Sequence, residues 1–350
     1  SAYHELRGAT FNPGGTHTTL DNISHYIHTH DLQYILLANP PPVSSLHQLQ
    51  LKQQHNLSLI YTTPPDTNKT AQVAILYSLN FFNPHNPNDI TEDPSGRLLS
   101  VILSSIAHNT RIHLIASYFP PNLDNTPLLT TQQLTNLRHK MTHNPNPIAH
   151  THKNCIKKRQ ETERLRMTVT KWATDTNADH TILGGDHNET LHHTDRLPLP
   201  TTTTHRTNTL LNLLNDGWTD TYNTTPQSLS SNNDDPTELG HTYYHFNNTS
   251  SSRLDHIFIW HPSHSLPYNC YVNNTFDLNS STTQHRPLHL HIELPSTAIP
   301  QHPNPPWKPR SLYVPPNLTP TTASQISNSV NTALLHQHPH LHPQFDSLSP

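Results

Sequence analysis

The chain has 350 residues, room for one large domain or two ordinary ones. Charged residues make up 13% and apolar residues 31%, both low for a globular protein, so a core has to come from apolar residues concentrated in short runs. The formal net charge of −4 excludes the strongly basic footprint of a protein held to nucleic acid by bulk charge.

Taken in chain order, Thr19–Thr29 spaces Leu20, Ile23 and Ile27 on one face and predicts a helix. Tyr34–Ala38, Leu57–Tyr61, Gln72–Ser78, Leu98–Ile106 and Arg111–Phe119 are rich in Ile, Leu, Val and Tyr between turn residues, and predict strands. Leu128–Met141 and Cys155–Thr174 read as helices. The second carries Lys157, Lys158, Arg159, Arg164 and Arg166, which form either a phosphate contact or, the favoured reading, a solvated face. Strands resume at His180–Leu183, Leu254–Trp260 and Pro287–Glu293, and no internal repeat is visible.

Many strands with a few helices predict an α/β (α+β) layered domain over residues 1–295. Residues 296–322, Pro-rich from Pro300 to Pro320, read as a linker. Residues 323–350 read as a short helix, Ala323–Leu335, and a His/Pro-rich tail. The start at Ser1 instead of Met suggests a piece of something longer. Cys155 and Cys270 are too few for a disulfide framework and lack metal-site spacing. No run has the roughly 18 apolar residues of a membrane span, and no secretory leader is visible.

The composition is skewed toward Pro, Thr, Asn and His, whose codons are rich in A and C, while Gly (8), Met (2) and Trp (4) are scarce. This is the mark of a G-poor coding strand. Most of the 32 histidines therefore read as surface residues, and a lone histidine is weak evidence for a ligand. Near their ordinary pKa of about 6.5 they would add positive charge, so affinity for a polyanion is expected to rise as pH falls.

Five segments carry chemistry. His180-Thr-Ile-Leu-Gly-Gly-Asp186-His-Asn188 is an apolar strand ending in Gly-Gly-Asp-x-Asn, where a carboxylate projects from a strand end to position water and Asn188 reaches a phosphate. Alone it reads equally as a strand followed by an Asx turn. Ser252-Arg253-Leu254-Asp255 opens an apolar strand with an Asp that needs a buried partner such as an imidazole. Thr283-Gln284-His285-Arg286-Pro287, Thr10-Phe11-Asn12 and Ala116-Ser117-Tyr118-Phe119-Pro120-Pro121-Asn122 complete the set.

In this order the segments resemble the endonuclease/exonuclease/phosphatase family, from Thr10 to about Pro295. Leu239-Gly240-His241-Thr242-Tyr243 ahead of Ser252–Asp255, and Trp307 with the segment after it, resemble the endonuclease domain of non-LTR (LINE-type) retrotransposons. The resemblance implies a DNase I-like four-layer sandwich of two packed mixed β-sheets with helices outside. It implies Mg²⁺-dependent (or Mn²⁺-dependent) cleavage of DNA phosphodiesters, no membrane, a polyprotein continuing toward a reverse transcriptase, and with it a nuclear location. By resemblance Asn12 orients the metal–water network, Tyr118 contacts the phosphate, and Asp186 with Asn188 aligns water and phosphate. Asp255 and His285 form a pair at the scissile phosphate.

Two positions depart from the family pattern. Asn39 stands where the metal-binding Glu is expected after Tyr34–Ala38, and Gln284 replaces the Asp of Ser-Asp-His. Asn12, Asn39 and Gln284 thus form a metal pole of amides, where Mg²⁺ is usually held by one or two carboxylates. Glu and Asp codons begin with G, so the coding bias accounts for both losses. The expected function is an impaired endonuclease. The alternatives are a catalytically dead scaffold that binds nucleic acid and, disfavoured by the retrotransposon-like tail, a phosphoinositide or sphingolipid phosphatase.

Overall fold

A computed structural model describes residues 4–14, 18–63, 72–121, 147–197, 209–222, 240–245, 250–260, 266–273 and 284–294, without the side chains of 4, 147–155 and 193. The chain separates into Ser1–Ala298 and Ile299–Pro350. The second unit, and with it the expected linker, the helix Ala323–Leu335 and the tail, lies outside the described residues, as does the expected helix Leu128–Met141.

The chain opens with β1 (His4–Phe11), α1 (Leu20–Thr29), β2 (Tyr34–Ala38), α2 (Ser45–His55), β3 (Leu57–Tyr61) and β4 (Val73–Ser78). It continues through β5 (Ile90–Glu92), β6 (Leu98–Ser104), β7 (Arg111–Tyr118), α3 (Pro147–Asp175) and β8 (His180–Asp186). Then come β9 (Arg196–Leu197), α4 (Thr209–Asp216), β10 (Trp218–Asp220), β11 (Tyr243–Tyr244) and β12 (Ser251–Ser252). β13 (Asp255–Trp260), β14 (Tyr268–Val272) and β15 (Leu288–Leu294) close the described fold.

Two mixed six-stranded sheets result. Sheet one has the order β14-β15-β1-β2-β4-β3, sheet two the order β10-β13-β8-β7-β6-β5, and β11-β12-β9 form a small third sheet. Three apolar clusters make the layering plain. Leu6, Tyr34, Leu36, Ile75, Leu114, Ile182, Ile257 and Leu290 fill the space between the sheets. Ile35, Leu37, Leu57 and Leu76 face outward from sheet one against Leu20, Ile23 and Ile27 of α1 and Leu51 of α2. Ile115, Leu183 and Phe258 face outward from sheet two against Leu165, Val169 and Ala173 of α3 and Leu210 and Leu213 of α4. β2 is buried at all five positions because both of its faces are covered. This is the four-layer sandwich the motifs implied.

Local chemistry sets the element ends. α1 presents Leu20, Ile23 and Ile27 to sheet one, and the Thr19 hydroxyl accepts from the Asn22 N–H at 3.2 Å, a cap worth about 1 kcal/mol. α2 went unseen in the sequence because only Leu51 is buried along a run of Gln, His and Lys. α3 begins earlier than its periodicity suggested, at Pro147, a residue suited to a helix start. Its cations pair locally: Arg164 with Asp93 and Glu161, Arg166 with Glu163 and Asp216, so that part of the basic run is a salt-bridged face.

β8 runs three residues past Leu183, through Gly184 and Gly185 to Asp186, because it pairs with β7 on one side and β13 on the other over that whole length. Gly184 is required by proximity: a Cβ there would lie 2.8 Å from Leu36 Cδ1 and 3.3 Å from Thr10 Cβ of the opposing sheet. The two sheets therefore close on each other one inward position before Asp186. Some histidines depart from the expected surface placement. His113, His187, His256 and His289 are buried, and burial lowers their pKa, to about 4 for His113 and His187 and about 3 for His289. These rings stay neutral at moderate pH, so they contribute nothing to the rise in polyanion affinity expected on acidification.

Candidate functional site

The inner faces of both sheets are apolar until their last row, where polar side chains replace aliphatic ones. Asp186, at the end of β8, and Asp255, at the start of β13, are paired in register, so both carboxylates leave the same face side by side. Asn12, just beyond β1, donates its Nδ2 to Asp186 Oδ2 at 2.8 Å across the gap between the sheets. His285, just before β15, places Nδ1 2.7 Å from Asp255 Oδ2 and Nε2 3.8 Å from Asp186 Oδ2. Asn12, Asp186, Asp255 and His285 are all buried and form one constellation, two hydrogen-bonded pairs joined by the ion-pair contact of His285 with Asp186. The Asp–imidazole pair inferred from an Asp at a buried strand start is present.

Electrostatics follow from this geometry. Burial alone would lower the His285 pKa, but the charges of Asp255 and Asp186 and the hydrogen bond to Asp255 outweigh it and raise the pKa to about 9. His285 is an imidazolium at neutral pH, and both ring nitrogens are donors. The Asp186 pKa is also raised, first by burial, against the lowering influence of His285, with the like charge of Asp255 adding to the rise. A carboxyl so placed is a proton acceptor closer to neutrality than an ordinary Asp.

The surrounding residues hold the constellation in place. The Asn188 N–H donates to Asp186 Oδ1 at 3.0 Å, so the Asx turn is real and coexists with the site. Asn188 itself has φ of 52° and donates its side-chain amide to the Phe119 carbonyl at 2.9 Å. Tyr118 lies opposite Asp186 on β7, and burial foremost raises its pKa. Arg253, fully buried, reaches Asp195 at 3.1 Å and Asp220 at 2.8 Å and fixes the turn ahead of Asp255. The Thr242 hydroxyl accepts the N–H groups of Leu254 and Asp255 at 3.2 and 3.0 Å.

Asn39 and Gln284 are placed less tightly. Asn39 follows directly on β2, which pairs with β1 as far as Phe11 and Leu37, with φ of 50° and its N–H on the Gln72 carbonyl at 2.8 Å. Gln284 offers its backbone carbonyl to the Tyr244 N–H at 2.8 Å. Among the described residues neither side chain hydrogen-bonds the constellation. Sequence reasoning overlooked three participants. Tyr243 packs its ring 5.1 Å from that of His285, Arg97 stands 5.4 Å over the Tyr118 ring, and Arg253 is the buried cation ahead of Asp255. Only Tyr243 and Arg253 lie within the sequence motifs.

An oxygen of Asp186, an oxygen of Asp255 and a ring nitrogen of His285 all lie within 4.8 Å of one another, and with His285 protonated the two carboxylates are the groups able to ligate a cation. One oxygen, Asp255 Oδ1, is buried without a hydrogen-bond partner. Two carboxylates with an unpartnered oxygen fit a divalent cation.

The described fold is shared with solved structures of the endonuclease/exonuclease/phosphatase class. The Neisseria 3′ phosphatase NExo, bound to a product DNA hairpin, is 15% identical with a TM-score of 0.54, and the match covers 83% of this chain and all (100%) of that one. An AP endonuclease from Archaeoglobus fulgidus is 15% identical with a TM-score of 0.52, over 81% of this chain and 98% of the other. No sequence-family profile and no curated protein sequence matches. The chain has the DNase I-like fold.

Proposed function

We propose that this chain is a metal-dependent hydrolase of DNA phosphodiesters, of the endonuclease kind found in non-LTR retrotransposons, with activity reduced by the amides at Asn39 and Gln284. The observation that carries the reading is the Asn12–Asp186–His285–Asp255 constellation at the end of two packed sheets. The retrotransposon type, and a polyprotein leading to a reverse transcriptase, rest on the motif order around Leu239–Asp255 and on Trp307.

Asp186 and Asp255 would hold the ion, with Asn12, Asn39 and Gln284 adding only neutral carbonyl oxygens. Mg²⁺ or Mn²⁺ bound there supplies charge to neutralise phosphate oxygens. The chain's own groups do the rest. Asp186 orients a water and takes its proton as the water oxygen bonds phosphorus and the bond to the departing sugar oxygen breaks. His285 presents an N–H to the phosphate, and Asp255 holds that ring in place. Tyr118 and Asn188 border the phosphate.

A supercoiled-plasmid nicking assay with Mg²⁺ or Mn²⁺ tests this. The unmodified chain is expected to nick poorly, and Asn39→Glu with Gln284→Asp to nick at least about a hundredfold faster. A unit charge about 4 Å from the ion is worth on the order of 4 kcal/mol at an effective dielectric of about 20. Asp186→Ala should silence the reverted chain. Efficient nicking by the unmodified chain, abolished by Asp186→Ala, would refute the impaired site. Silence of both favours the second reading, a nucleic-acid-binding scaffold, which the two amides also support.

A further inference from the structure

Sheet two carries a row of four functional groups across its site-bearing end. Asp255 pairs with Asp186, Asp186 with Tyr118, and the Tyr118 N–H donates to the Arg97 carbonyl at 2.9 Å. Leu98 pairs with Ser117, so Arg97, immediately before β6, lies opposite Tyr118. Residues opposite one another in a sheet project from the same face, so the row reads cation, phenol, carboxylate, carboxylate.

The Arg97 guanidinium is half-buried and held in place. Nη1 donates to the Tyr118 carbonyl at 3.1 Å, and the guanidinium carbon lies 5.4 Å from the Tyr118 ring centre. Arg7, Arg164, Arg166 and Arg253 each hold one or more acids, and the acids nearest Arg97, Asp93 and Glu161, are engaged by Arg164. Among the described residues no carboxylate lies within ion-pair distance of Arg97. Among the described residues this partly desolvated guanidinium thus has its planar fork largely unused and no counter-ion, and a phosphate has the charge and geometry to supply one.

We infer that Arg97 grips a phosphate of the nucleic-acid strand adjacent to the one cleaved, so that the strand runs from the Asp186–His285 end of the row over Tyr118 to Arg97. This rests on the reading of the site as a DNA phosphodiesterase. Arg97 is then a positioning residue that fixes the register of the strand against Asp186. Tyr118 is the spacer between the two phosphates.

The experiment is binding of a fluorescein-labelled DNA duplex by the full chain, followed by anisotropy with EDTA present, from about 50 to 200 mM salt. Arg97→Gln should reduce the slope of log affinity against log salt by about 0.9, the change expected when one phosphate is no longer neutralised. Arg97→Lys should keep the slope but bind roughly tenfold more weakly, because an ammonium lacks the bidentate fork. Arg111→Gln is the control: it removes the same charge at the other end of β7, about 23 Å away at 3.3 Å per residue, and should leave the slope unchanged. An unaltered slope in Arg97→Gln, or an equal loss in Arg111→Gln, overturns the assignment while leaving the DNA reading intact. If Arg97→Gln fails to fold, Arg97→Lys decides, and undiminished affinity there overturns the assignment. If the native chain shows no salt-dependent DNA binding, the proposed function falls and Arg97 with it.

Discussion

Sheet two delivers both carboxylates of the site, Asp186 and Asp255, from paired positions on adjacent strands. Sheet one delivers Asn12, Asn39 and Gln284 from the ends of strands and the segment before β15, with His285 as its single ionisable contribution. The difference reflects how each residue is tied into the fold. Asp186 receives hydrogen bonds from Asn12 and Asn188, and Asp255 neutralises a buried imidazolium, so losing either carboxylate leaves buried polar groups unpaired, a cost of several kcal/mol. Asn39 and Gln284 have no such side-chain ties among the described residues. Under the proposed function, a coding bias against Glu and Asp could therefore act at these two positions with little structural penalty.

The comparison can be tested hardest at His285, the sheet-one group that answers sheet two. It gains its carboxylates only on folding, so its pKa of about 9 lies above the unfolded value of about 6.5. The stabilisation is whole below pH 6.5 and is lost as pH rises through 9, on the order of 3 kcal/mol in all. Unfolding free energy measured against pH should therefore decline over that window in the native chain and stay flat in His285→Gln. A native chain whose stability does not fall between those limits would show that the pair is not charged.

A smaller effect separates the amides. Asn12→Ala strips a donor from a buried carboxylate and should cost about 1–3 kcal/mol in urea unfolding, with the Asp186 pKa rising further. Gln284→Ala should be nearly silent in the same measurement. Equal costs would mean that the two amides are held alike and that the two sheets do not differ in this respect. The smallest effect is expected at Asn39. Its φ of 50° is tolerated by Asn and free for Gly, but costs other residues roughly 1–2 kcal/mol. Thermal melting should rank Asn39→Gly at or above the native chain and Asn39→Glu slightly below it. The reversed order would place an unseen partner at that side chain.

Periodicity and turn residues were enough to find β2 and β3 with their observed limits and most of the central strands; β2, buried on both faces, reads as an unbroken apolar run, and β3 as an apolar-rich run bounded by turn residues. They were not enough for β1, whose inward positions include Gly8 and Thr10, or for α2, whose apolar face is one residue wide. Gly-Gly-Asp-x-Asn and Arg-Leu-Asp were legible because a carboxylate at the end of an apolar run is conspicuous. Arg97 was not, since its meaning comes from the strand beside it.

The apolar runs thus settled, from the sequence alone, a layered α/β domain, and the chemistry of their ends showed at which positions carboxylates and amides stand; the two packed sheets were implied only by the family resemblance of the ordered motifs. Only the tertiary structure decided how those groups meet. The register of β8 with β13 set Asp186 beside Asp255, and the close approach of the sheets at Gly184 brought Asn12 onto Asp186. Residues 174 positions apart in the chain became hydrogen-bond partners, and a histidine that composition would discount became a buried cation. Local sequence records what each side chain is able to do, but its pKa and partners depend on desolvation and on charges brought near by strands distant in the chain.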